Sequence, residues 1–363
     1  MRLTPADRSV VDRPHERPRE GAPAPAGSTT RGPRRFPPIV SEGSGAPHNV
    51  AAVARPFFID TDTASDDAVA LVIALQHPDI DVTGIGVVAG NVPLDIGVQN
   101  ALYVAELCGA TDVPVYAGEA EPLVVPLETG QYVHGQDGMG DIGLPLTGRT
   151  PAAGHAVDAL LEISHRHPGE LELVTLGPLT NIARALERDP SLPERLARVV
   201  VMGAVADHIG NQNPVAEFNM WVDPHAVDVV LRSGLPLEFV GWDISRTYAV
   251  MTPDDAARLR AIGTPTAHMC VDIQRVLSEF CATQTKLEGF DLPDPIAMAY
   301  AIDPAVATST RRLHCAVETD STLTRGMVVM DLLGFTGHEP NALVVTSADR
   351  SRFLAMLHAA VSA

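Results

Sequence analysis

The hydrophobic pattern of the chain switches period again and again. Phe57-Phe58-Ile59 is an unbroken apolar run ending on Asp60, and directly afterwards Ala68, Leu71, Val72 and Leu75 recur at helical spacing. A short apolar run bounded by turn residues predicts a buried strand, and a 3.6-residue recurrence predicts a helix. A second strand is predicted within 81–89, closing on Gly90-Asn91, then a helix over 92–108 and a third strand over 113–116. Strands at 171–176 and 198–202 flank a helix that starts near Pro178. Helices are predicted over 225–233, 252–262 and 264–283, with a strand at 237–241. Another helix begins at Asp294, three strands follow at 314–317, 327–330 and 343–345, and a last helix starts near Asp349. Those three strands read as an extension of the sheet, with Thr324-Arg325-Gly326 in its turn. Strands alternating with helices imply right-handed crossovers. The predicted fold class is therefore α/β, a mostly parallel central sheet flanked by helices in a Rossmann-like open arrangement.

Two stretches break the pattern. Residues 119–150 show no clear element and contain His134-Gly135-Gln136-Asp137-Gly138-Met139-Gly140-Asp141, a glycine-rich run that reads as a mobile lid. Residues 1–54 are rich in Pro, Arg, Gly and Ala without apolar period, and read as a disordered tail ahead of one domain over 55–363. That tail lacks an apolar secretion segment, and its acids are unlike a transit peptide.

Charge and cysteine usage narrow the class. Residues 1–55 hold nine arginines and five acids, so the remainder carries 17 basic against 40 acidic residues. A body this acidic argues against nucleic acid as a partner and favours local accumulation of divalent cations. No apolar run approaches membrane-spanning length, so no membrane partner is expected. Cys108, Cys270, Cys281 and Cys315 are scattered without C-x-x-C spacing, as in reduced thiols of a cytoplasmic protein.

Chemistry gathers where the first strand meets the first helix. Asp60 and Asp62 lie two apart, which places them on one side of a strand. Asp66 and Asp67 fall in the first helical turn, where Ser65 can cap and the helix dipole favours negative charge. Like charges about 4 Å apart repel by roughly 4 kcal/mol at an effective dielectric of about 20. Four carboxylates at one strand end therefore call for a counterion, and a hard divalent cation suits them. Further along, Glu217 and Asn219 would share a side if extended, placing a carboxylate and an amide together as sugar hydroxyls require.

The pattern D-x-D-x-x-x-D-D-A over Asp60 to Ala68 resembles the signature of the nucleoside hydrolases, the inosine-uridine preferring N-ribosyl hydrolases. Here Thr63-Ala64 stands where that family writes Pro-Gly. Three more phrases resemble it in order: His134-Gly135 in the glycine-rich loop, Gly177-Pro178-Leu179-Thr180-Asn181, and Gly210-Asn211 followed by Ala216-Glu217-Phe218-Asn219. The resemblance implies a calcium ion held by Asp62, Asp67, Asp294 and the backbone carbonyl of Leu176. It implies Asp62 as general base toward water attacking the anomeric carbon, with Asp60 supporting it from behind. Asp66, Asn91 and Asn219 would hold ribose hydroxyls, Asn211 and Glu217 would reach the 5′-hydroxyl, and His134 would close on the substrate. It further implies a ribonucleoside as the small-molecule substrate and a homodimer or homotetramer. Many members carry His immediately before the last metal carboxylate, whereas this chain has Pro293, which cannot protonate a departing base.

Two other readings compete. Asp60-Thr61-Asp62-Thr63 also looks like the opening of haloacid-dehalogenase-like phosphatases, with Asp60 as nucleophile; that family requires a downstream lysine, and Lys286 is the one lysine in the chain. A calcium- and ribose-binding homologue without turnover is the other.

Overall fold

A computed structural model describes residues 54–207 and 209–363; the expected tail, up to residue 53, lies outside them. Among the described residues twelve strands are formed: β1 Arg55–Thr61, β2 Ile80–Val87, β3 Val115–Ala117, β4 Leu171–Thr175, β5 Leu196–Met202, β6 Leu237–Val240, β7 Val250–Met251, β8 Phe290–Asp291, β9 Ala307–Leu313, β10 Cys315–Val317, β11 Val328–Met330 and β12 Ala342–Ala348. The helices are α1 Ser65–Leu75, α2 Leu94–Leu107, α3 Gln131–His134, α4 Ala156–Arg166, α5 Thr180–Arg188, α6 Phe218–Val222, α7 Pro224–Leu231, α8 Trp242–Tyr248, α9 Pro253–Arg260, α10 Pro265–Asp272, α11 Arg275–Phe280, α12 Pro293–Ile302 and α13 Arg350–Val361.

The central sheet has eight strands in the order β3-β2-β1-β4-β5-β6-β12-β9, parallel except for β9 at one edge. Both faces are covered, and β1 shows how. Phe57 and Ile59 pack with α1, α2, α12 and α13 on one face, while Phe58 packs with α4, α5 and α7 on the other. All three are fully buried, so the apolar run expresses the two-residue period of a strand sealed on both sides. The chain crosses from β1 to β2 in one direction and enters the other half of the sheet at β4. That reversal leaves a crevice beyond the carboxyl ends of β1 and β4, where open α/β sheets hold ligands. Asp62, Asn91, Leu176 and Gly203 all follow the ends of neighbouring strands.

Several elements depart from the sequence-based expectation. The helix α4 has an apolar stripe at Val157, Leu160 and Ile163 that is buried, a legible signal hidden behind the long irregular segment. Strand β9 has five exposed residues in seven, so no apolar period marks it; backbone pairing with β12 alone makes it a strand. The three C-terminal strands do not extend one sheet. β10 and β11 form a separate antiparallel pair around the Thr324-Arg325-Gly326 turn, and β12 joins the main sheet beside β6. The long helix expected over 264–283 is broken at Gln274 into α10 and α11 and ends in a wide turn over Cys281–Thr285. Trp221 is half-buried under the Arg325 guanidinium, 3.7 Å from the ring centre. Among the described residues no helix is long and apolar enough to cross a membrane.

Candidate active site

The turn between β1 and α1 is the foundation of the site. Ala64 takes an extended conformation with φ −111°, so the backbone here does not need the glycine of the related signature. Side chains close the turn instead. Asp67 accepts hydrogen bonds from the Ala64 N–H at 3.0 Å and from the Thr61 hydroxyl at 2.5 Å, and Asn100 Nδ2 donates to the Thr63 carbonyl at 3.0 Å. Asp67 thus performs the capping expected of Ser65, whose hydroxyl is directed to His134 Nδ1 at 2.8 Å.

Four carboxylates meet at this point. Oxygens of Asp66, Asp67 and Asp294 lie within 4.8 Å of one another, and all three residues are buried. Asp62 adjoins them, accepting the Asn91 N–H at 2.6 Å on one oxygen, while its other oxygen has no protein partner. One oxygen of Asp66 is likewise buried without a partner. Burial, reinforced by the charge of Asp67, pushes the carboxyl groups of Asp62, Asp66 and Asp294 well above the usual carboxylate range. Like charges confined in a low dielectric account for both effects. Asp60 stands behind them, pushed up to about 7 by burial and held by Asn181 Nδ2 at 2.8 Å.

The remaining predicted residues surround the same crevice. Asp66, Asn91, His134, Leu176, Asn211, Glu217, Asn219 and Asp294 all line one pocket with about 680 Å³ of empty space, part of it open to solvent. Asn219 Nδ2 donates to the Leu176 carbonyl at 2.6 Å, so the carbonyl expected to face a cation is engaged here by an amide. Glu217 caps α6, accepting from the N–H groups of Asn219, Met220 and Ala204, and burial lifts it to about 7. Asn211 Oδ1 is buried with no partner. His134 is buried, which drives its ring down to about 4.

An apolar side of the pocket carries Trp242, Leu277, Phe280 and Cys281, with Pro293 beside Asp294. Tyr132 of α3 also lines it, with its hydroxyl 2.6 Å from Gln212 Oε1 and its ring edge-on to Phe280 at 5.8 Å. Asp291 also lines the pocket, bonded to the Ser245 hydroxyl at 2.9 Å. Asp291 does not stand out in sequence as part of a site, and the partner of Asn181 is hidden there, because it meets Asp60 across 121 residues. Around the break between α10 and α11, Gln274 is fully buried and donates to the Ser65 carbonyl, while His268 and Gln284 are exposed. Lys286 is exposed too, its ammonium on the Thr283 carbonyl.

Two glycines leave room for Asp62. A Cβ on Gly177 would stand 2.8 Å from Asp62 Oδ1, and one on Gly90 would overlap Oδ2 and the Pro178 ring. Gly90→Ala is therefore expected to displace the carboxylate and lower kcat roughly hundredfold, as a misplacement of about 1 Å does. A kinetic comparison with wild type checks this, and unchanged kcat would show that Asp62 tolerates the shift.

The family model of inosine-uridine preferring nucleoside hydrolases matches residues 57–355. The pyrimidine-specific ribonucleoside hydrolase RihA of Citrobacter koseri is 35% identical over 306 residues, covering 84% of this chain and 97% of that protein. Among solved structures, a purine-preferring ribonucleoside hydrolase from Gardnerella vaginalis superposes with a TM-score of 0.79 at 29% identity, covering 85% of this chain and 98% of the other. An inosine-guanosine nucleoside hydrolase gives 0.75 at 31% identity, covering 85% and 99%. With the carboxylate turn, the pocket and these matches in agreement, the chain belongs to the inosine-uridine preferring nucleoside hydrolases, a family of N-glycosyl hydrolases.

Proposed function

We propose that the protein hydrolyses the N-glycosidic bond of ribonucleosides to free base and ribose, with Asp62 as general base. The observation that carries this reading is the buried carboxylate cluster, of which Asp66 and Asp294 line a pocket that also has apolar lining, with buried oxygens of Asp62 and Asp66 left unpartnered. Unpartnered buried carboxylate oxygens and mutual repulsion fit a hard divalent cation, and an all-oxygen donor set fits calcium. Asp62, Asp67, Asp294 and the Leu176 carbonyl would hold it, with Asp66 close enough to share. When bound, calcium neutralises the clustered charge, orients the ribose diol and acidifies water beside Asp62.

The chain's own groups supply the rest. Asp62 takes the proton of the attacking water. Asp60, fixed by Asn181, supports Asp62 from below, and Asn91 N–H sets the direction of its carboxylate. Asp66, Asn91 and Asn219 bind the ribose hydroxyls, and Asn211 and Glu217 the 5′-hydroxyl. Positive charge growing on the sugar as the bond breaks is favoured by the surrounding carboxylates. Trp242, Leu277 and Phe280 face the nucleobase, and α3 excludes water above it. Pro293 supplies no proton, so stabilising the departing base falls to the lid.

Relatives named for pyrimidine, purine and inosine-guanosine substrates surround this chain, so the proposed substrate class is ribonucleosides at large. One catalytic domain over 55–363, a passive tail over 1–54, a cytoplasmic location and a homodimer or homotetramer belong to the same proposal. Sedimentation equilibrium of the full chain tests the assembly.

Incubation with a panel of purine and pyrimidine nucleosides is expected to release free ribose and base in equal amounts. Base release that requires phosphate, or none at all, would overturn the reading. Tyr132→Ala opens the lid contact and is expected to raise KM about fivefold to tenfold, the equivalent of a lost hydrogen bond and ring contact. An unchanged KM would detach α3 from substrate binding.

A further inference from the structure

The ring of His134 is held on one side only. Ser65 Oγ lies 2.8 Å from Nδ1 and makes no other hydrogen bond among the described residues. Ser65 is fully buried, and its backbone is pinned by Gln274 Nε2 on its carbonyl at 2.8 Å. The His134 backbone is fixed as well, donating to the Gly130 carbonyl at 3.2 Å and accepting from the Gly140 N–H at 2.9 Å. The other ring nitrogen, Nε2, makes no hydrogen bond among the described residues, and His134 lines the pocket.

A neutral imidazole carries one proton, and its partner decides where. If Nδ1 held the proton, the Ser65 hydroxyl would have no acceptor in a fully buried place, the costly case for a donor. The other acceptor nearby, Asp66 Oδ1, is 3.6 Å from Nδ1, too far for an N–H bond. With the serine hydroxyl donating to Nδ1, every proton finds a partner and the ring proton sits on Nε2.

We propose that Ser65 is a positioning residue that fixes His134 with its ring proton on Nε2, facing the pocket, as a hydrogen-bond donor to an acceptor nitrogen or oxygen on the departing nucleobase. This rests on the nucleoside hydrolase reading of the site. No proton is transferred: the neutral ring stabilises negative charge on the base by donation alone, and the base takes its proton from water after departure. Such a donor serves where Pro293 offers nothing.

The test uses the full chain with ¹⁵N-labelled histidine, the His134 signals being identified by their loss in His134→Gln. Long-range ¹H–¹⁵N spectra of the wild type are expected to show an unprotonated Nδ1 and a protonated Nε2. Ser65→Ala is expected to lose that preference and Ser65→Thr to keep it. A protonated Nδ1 in the wild type, or the same tautomer in Ser65→Ala, would overturn the proposal.

Kinetics supply the second arm. Ser65→Ala is expected to lower kcat on inosine or uridine roughly tenfold to hundredfold, the usual cost of losing such a supporting partner, with KM little changed. On p-nitrophenyl ribofuranoside, whose leaving group needs little stabilisation, the loss should be smaller by about tenfold, and Ser65→Thr should recover the nucleoside rate. Equal loss on both substrates, without rescue, would mean that Ser65 only packs. If the wild type cleaves no nucleoside, the hydrolase reading falls and the spectra alone decide the tautomer.

Discussion

Asp62→Asn is expected to lower kcat for nucleoside hydrolysis by roughly three to four orders of magnitude, the upper range for loss of a general base. The substitution is nearly isosteric, and the amide oxygen can still accept the Asn91 N–H that orients the side chain. What disappears is the ability to take a proton from water. Folding should not suffer. Burial and the neighbouring Asp67 and Asp66 hold the Asp62 carboxyl well above its ordinary range. A carboxylate raised in the folded state costs stability at every pH above its unfolded value, so replacing it with a neutral amide removes a cost. In chelator at pH 7 the variant should therefore melt at or above the wild-type temperature. Thermal melts alongside steady-state kinetics check both halves. Retention of a tenth or more of wild-type kcat would remove Asp62 from the role of base.

Asp294→Asn is expected to weaken calcium binding by roughly two to three and a half decades. Asp294 brings a carboxylate to Asp66 and Asp67 from a distant part of the chain, at the start of α12. Breaking a buried charge partnership costs about 3–5 kcal/mol, and each 1.4 kcal/mol or so is a factor of ten in affinity. Calcium at a hundred times its Kd should stabilise the wild type by about 2.7 kcal/mol, raising its melting temperature by several degrees. The same concentration should leave Asp294→Asn nearly unmoved. Titration calorimetry measures the affinities directly, and equal Kd values for the two proteins would place the cation elsewhere.

The parts of this site that sequence reveals are those written locally. Asp60, Asp62, Asp66 and Asp67 fall within eight positions, and the apolar run before them and the helical period after them announce the strand and helix that carry them. Strand ends supply Asn91 and Leu176, so the parallel sheet could be anticipated together with the crevice it forms. The hidden parts depend on pairing across the fold. Ser65 meets His134 across 69 residues, and no periodicity specifies which hydroxyl a histidine will find. Its expected capping role was taken by Asp67, because the Thr63-Ala64 turn puts that carboxylate on the Ala64 N–H. Asn181 is part of a recognisable phrase, yet its use, offsetting the buried charge of Asp60, is visible only once β1 and α5 are adjacent. The edge strand β9 lacked any apolar signature because one neighbour and solvent surround it, and backbone pairing requires no particular side chains.

The most direct measurement is ribose release from inosine and uridine by the purified full chain, followed through chelation and restoration of calcium, with Asp62→Asn carried in parallel. Release that stops with chelation, returns with calcium in the wild type and stays absent in Asp62→Asn is the expected result. Calcium-independent release, or none despite tight binding of calcium and ribose, would contradict a hydrolytic centre built on the Asp62, Asp66, Asp67 and Asp294 cluster.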